Sequence, residues 1–146
     1  MRRVLLAVLV LSGLVVSQSP SADAAATGFR VIVHHQVKGA QISRTALSSI
    51  FLKQAPKWGD GSAVQPVDQS VRSSVRKSFC GDVLDQGIVE VQLYWQRRMS
   101  SGVTPPPVKT SDEEVVAFVA STPGAIGYVS PAAVLPESVK AIQLTD

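Results

Sequence analysis

The chain opens its polar and apolar pattern with a β rhythm. Residues 29–34 are rich in β-branched side chains (Val31, Ile32, Val33) and predict a strand. The rhythm then turns helical. Ser43 caps a predicted helix that runs to about Lys53 and sets Ala46, Leu47, Ile50 and Phe51 on one face. Residues 54–61 carry Pro56, Trp58 and two glycines and read as a loop, and residues 63–67 alternate as a short strand. Val75, Phe79 and Val83 recur at helical spacing in a helix that begins near Ser73. A third helix covers residues 86–98, with Ile88, Val91, Gln92 and Trp95 inward and Gly87 weakening its start. Phe79 and Trp95 are thereby expected in the core of adjacent helices.

Pro105, Pro106 and Pro107 make the next stretch extended and stiff. Ser111 and Glu114 form a capping box, in which the serine accepts the Glu114 N–H and the glutamate reaches back. That helix continues through Val115, Val116, Phe118 and Val119 until Thr122-Pro123-Gly124 ends it. Residues 125–129 and 139–144 predict two last strands. Strands interleaved with helices predict an α/β layered domain.

The N-terminus has a different pattern. Arg2 and Arg3 precede an aliphatic run over residues 4–16, and small residues follow at Ala22, Ala24 and Ala26. This layout predicts a cleaved secretory signal over residues 1–24, with the mature N-terminus between Ala25 and Thr27 and one domain over residues 27–146. The run is shorter than the ~20 apolar residues of a spanning helix, and no later segment is long and apolar enough to span. Cleavage removes Arg2, Arg3 and Asp23 from 14 basic and 11 acidic residues, leaving 12 against 10. Such a weak basic balance is no nucleic-acid footprint. Cys80 is the single cysteine, so no internal disulfide forms, and a buried apolar role suits it better than a reactive one.

Candidate chemistry is sparse. Adjacent His34 and His35 on a strand point to opposite faces, with no third ligand cluster to make a metal site. No nucleophile elbow, nucleotide-type glycine loop or catalytic constellation is visible, so neither an enzyme nor a cofactor is expected.

Several segments together resemble the periplasmic phosphate-binding component of phosphate ABC transporters. Ile50-Phe51-Leu52-Lys53 followed by Trp58-Gly59-Asp60-Gly61 is similar to one family segment. Phe79, Leu84, Tyr94 and Trp95 are similar to its helices, Gly102 with Pro105 and Pro106 to a turn of short relatives, and Val139-Lys140-Ala141-Ile142 to a following strand. The most specific piece, Pro123-Gly124-Ala125-Ile126-Gly127-Tyr128-Val129, looks like a family turn and strand. Its own chemistry reads as a helix-to-strand junction: Gly124 takes a positive φ, Gly127 permits close approach, and Tyr128 packs its ring with the hydroxyl left wet.

The resemblance implies a single lobe of a type 2 periplasmic-binding-protein-like fold, a mixed sheet flanked by helices, located in the periplasm. It also implies an anion site where an arginine and a D-G-S-G-T loop open a helix, whose N-terminus favours negative charge. In the register set by Phe79, Gln69 takes the arginine position, Val71 the aspartate position, and Ser73-Ser74-Val75 the Ser-Gly-Thr positions. Gln69, Ser70, Arg72, Ser73, Ser74 and Arg76 are the candidate anion-binding residues, with Arg72 or Arg76 supplying charge. The serines serve equally as simple helix caps. Two readings remain open. The first is a non-enzymatic lobe that binds phosphate or a related small oxyanion weakly, for an ABC transporter in the membrane. The second is an interaction protein that kept the scaffold and lost the ligand, with Trp58 and the proline loop facing an envelope protein or a second copy.

Overall fold

The computed structural model describes residues 28–146; the expected signal segment lies outside them. Strands β1 (Arg30–His34), β2 (Gln41–Ser43), β3 (Gln65–Pro66), β6 (Ala125–Val129) and β7 (Val139–Thr145) form a mixed sheet in the order β2-β7-β1-β6-β3. Central β1 pairs antiparallel with β6 and β7, while β2 and β3 add in parallel at the edges. Pro66 sits on edge strand β3, where its missing N–H breaks no ladder. A two-stranded ladder joins β4 (Asp68–Gln69) to β5 (Val108–Lys109).

Helices α1 (Arg44–Phe51), α2 (Ser74–Val83) and α3 (Ile88–Ser100) cover one face, and α4 (Asp112–Ser121) covers the other. Strand alternation sorts the two cores. Val31 and Val33 of β1 and Ile126 and Tyr128 of β6 join Phe29, Leu47, Phe51, Phe79 and Trp95. Ile32, Ala125 and Val129 face Val67, Val115 and Val119 instead. Gly127, opposite Ile32, lets α4 approach: a Cβ there would lie 2.8 Å from Cγ1 of both Val115 and Val67. Gly124 closes α4 with φ +78°, and a Cβ there would lie 2.2 Å from the Ala63 carbonyl oxygen.

The helices stand where their patterns place them, with local corrections. Ala46 lies at the edge of the α1 stripe and is exposed, and α1 ends at Phe51 with Leu52 as its cap. Gln92 is exposed on the outer flank of α3. Ser111 accepts the Glu114 N–H as expected, but the Glu114 carboxylate bonds the amide and hydroxyl of Thr110 rather than its cap residue. The proline segment leads directly into β5, a strand that its composition hides; three-residue β2 and two-residue β4 are equally unmarked in sequence.

Candidate functional site

The polar centre lies where β4, β5 and β6 end and where α2 and α4 begin, the end of an α/β sheet that favours ligand sites. Ser73 is the N-cap of α2: its hydroxyl oxygen accepts the Arg76 N–H at 3.3 Å. The same hydroxyl donates to Gln69 Oε1 at 2.7 Å. Gln69 is only 3% exposed, and its Nε2 donates to Asp112 Oδ1 at 3.0 Å and to the Tyr128 carbonyl at 2.9 Å. Asp112, in the first turn of α4, also accepts from the amide and hydroxyl of Ser130. This carboxylate therefore takes up donors from β4 and from the end of β6, and it sits where a helix N-terminus favours negative charge.

A second buried group lies beneath. Arg76, 4% exposed, pairs through Nη2 with Asp68 Oδ2 at 3.1 Å and donates from Nη1 to the Gln69 carbonyl at 2.6 Å. Asp68 Oδ1 accepts from the Gln69 amide at 2.8 Å and from the Tyr128 hydroxyl. Burial raises the Asp68 pKa, against the pull of Arg76 and of the two hydrogen bonds. Burial, then the Asp68 charge, pushes the Tyr128 hydroxyl above its ordinary value. The Tyr128 hydroxyl is thus a buried link between β6 and β4, not the wet group expected from sequence.

All six sequence candidates lie along this one turn, but they have different surroundings. Gln69 and Arg76 are buried and spend their polar groups on internal partners, apart from Arg76 Nε, which is buried without one. Ser70 is half-buried and its hydroxyl accepts the Arg72 N–H at 3.3 Å. Arg72 and Ser74 are exposed, and the Ser74 and Val75 amides stand in the first turn of α2, where no preceding helical carbonyl can reach them. Asp68, Asp112 and Ser130 carry no site signal in the sequence, and Tyr128 reads there only as a packing residue. A signal for Arg76 was present: it shares the inner stripe of α2 with Phe79, Cys80 and Val83.

The remaining candidates have structural settings. Cys80 is buried, which raises its thiol pKa and favours the unreactive form. Trp58 is half-buried and its Nε1–H donates to the Gly124 carbonyl at 3.0 Å, which ties the loop after α1 to the start of β6. His34 and His35 do not diverge as a continuous strand would make them: His35 lies in the turn after β1, and the rings sit 4.4 Å apart. Among the described residues no group of three metal-ligating side chains occurs.

His34 is buried, and its Nδ1 accepts the Gln36 N–H at 3.3 Å, a bond that only the unprotonated nitrogen can make. Burial, then the His35 charge, lowers its pKa. The unfolded chain therefore takes the proton first, and stability falls as pH drops through about 6.5 toward the lower folded value. Urea midpoints measured across that window should decline, and His34→Gln should flatten the decline; an equal slope in the variant refutes the assignment.

No protein-family model matches the chain, and no curated protein does. Solved structures do. An ABC-type phosphate transport receptor from Vibrio cholerae superposes with a TM-score of 0.63 at 22% identity, over 82% of this chain and 47% of the receptor. A provisionally named phosphate ABC transporter substrate-binding protein from Clostridium perfringens, solved with bound phosphate, gives 0.63 at 16% identity, over 80% and 44%. PstS from Borrelia burgdorferi gives 0.60 at 14% identity, over 82% and 47%. The chain spans a little under half the length of these proteins. It has the fold of one lobe of a phosphate-transport receptor.

Proposed function

We propose that this chain is an exported, non-catalytic lobe that holds phosphate or a related small oxyanion weakly at the N-terminus of α2, in the periplasm, in association with an ABC transporter or another envelope protein. The observation that carries the reading is the likeness to one lobe of several phosphate-transport receptors, one of them solved with phosphate bound. The Ser74 and Val75 amides, the Ser70 hydroxyl and exposed Arg72 supply the donors, framed by Ser73, Gln69 and Arg76. With Gln69 committed internally and Arg76 paired with Asp68, binding is weak, about mM to tens of µM. Among the described residues no helix is long and apolar enough to cross a membrane.

Phosphate, sulfate and arsenate titrations followed by amide NMR test the reading on protein whose mature N-terminus is first fixed by mass. Shifts at Ser74 and Val75, weakened roughly tenfold by Arg72→Ala as expected for one charge-assisted contact, support it. Silence at these amides with every anion refutes it. Gln69→Arg should not tighten binding, because Gln69 is buried with its side-chain amide already bonded to Asp112, Tyr128 and Ser73. A second reading, a scaffold that binds only protein, is favoured by one observation: Gln69, in the place where an anion's partner would stand, is bonded internally to Asp112, Ser73 and Arg76.

A further inference from the structure

Four of the six exposed large apolar side chains among the described residues, Val89, Leu93, Met99 and Val108, border one groove of about 470 Å³ between α3 and the proline segment. Val89 is 63% exposed, Met99 50% and Leu93 44%, on a helix whose other side carries buried Val91 and Trp95. Val89, Leu93, Gln96 and Ser100 follow at alternating steps of four and three residues, and so form one line along the exposed side of α3. Glu90 and Arg97, both exposed, stand seven residues apart and flank the same side of that line. The groove follows the other flank, beside Gln92 and Met99.

We propose that α3 is the docking surface for a second copy of this chain, packed antiparallel about a two-fold axis. In that arrangement Glu90 of each copy faces Arg97 of the other, and Leu93 faces Gln96. A parallel pair would put the two Glu90–Arg97 flanks on opposite sides of the seam, out of reach of each other. The charges on the flank are thus self-complementary in one orientation only, as an isologous interface requires. The groove beside the seam, walled by Pro105 and Val108, receives apolar side chains from the facing helix and removes Val89, Leu93 and Met99 from water. The proposal stands whether or not an anion binds at α2.

Sedimentation equilibrium of the mature secreted chain over a wide concentration range tests it. A reversible monomer–dimer equilibrium is expected, abolished by Leu93→Glu. Glu90→Arg and Arg97→Glu should each weaken dimerisation about tenfold, since each turns two symmetric attractions into repulsions. The double exchange should restore it, a rescue that no role within one copy would produce. All three side-chain changes lie on an exposed helix face, so unchanged thermal unfolding of dilute protein verifies that each variant folds. A monomer at every concentration, a dimer indifferent to Leu93→Glu, or a double exchange no tighter than the single changes overturns the proposal.

Discussion

Phe79→Ala is expected to cost ~3–5 kcal/mol of folding stability, the range for removing a large aromatic from a packed core. Phe79 is 1% exposed and holds three elements together. Its ring stacks on Tyr128 of β6 at 3.9 Å, meets Phe51 of α1 at 4.7 Å, and takes Phe29 edge-on at 5.4 Å. Alanine would leave a cavity bounded by the sheet and two helices, which cannot collapse without moving a strand. Trp95→Ala should fall in the same range and nearer its lower end, because Trp95 is 7% exposed and borders the α3 groove. Urea denaturation of both variants measures this; losses below about 1 kcal/mol at both sites, far under the usual core range, would contradict the packing.

Arg76→Met should be comparably severe, about 3–5 kcal/mol, for a different reason: it strands a partner rather than opening a cavity. The Asp68 carboxylate would remain buried with the Tyr128 hydroxyl and the Gln69 amide but without its cation. The Gln69 carbonyl would also lose a donor. Burial already raises the Asp68 pKa, so the variant would relieve part of the cost by taking up a proton, and its deficit should shrink in acid. Pairing the change with Asp68→Asn should recover most of the loss, because the amide oxygen still accepts from Tyr128 with no charge left unpaired. A double variant no more stable than Arg76→Met would show that lost packing, not the stranded charge, dominates.

The two substitutions also mark how far the sequence could be read. Phe79 was legible as core because Val75, Phe79 and Val83 repeat at the spacing of one helix face, a local property that survives any tertiary arrangement. The Ser73 cap of α2, the Ser111 cap of α4 and the Gly124 turn were legible for the same reason, since each is completed within four residues. Strand β6 was read to the residue because its apolar run is closed by glycine at one end and serine at the other.

The two-residue strands β4 and β5 carry too few side chains to show a period, and they exist because each offers the other a ladder: they lie some forty residues apart, joined by the Asp68–Val108 register. The site divided the same way. Gln69, Ser70, Arg72, Ser73, Ser74 and Arg76 follow one another from β4 into α2, a local run whose helix cap is written in the sequence. That Gln69 and Arg76 face inward, and that Asp112, Tyr128 and Ser130 claim their neighbours' hydrogen bonds, depends on bringing β4, β6 and the ends of two helices to one point. By itself the sequence determined the layered α/β class, the four helices, their caps and the central and last strands. Only the tertiary structure decided the strand order, the edge pairings and which polar groups are already satisfied. Helical periodicity and capping are set by contacts within a few residues, whereas sheet order and buried polar pairing are set by contacts across the whole chain.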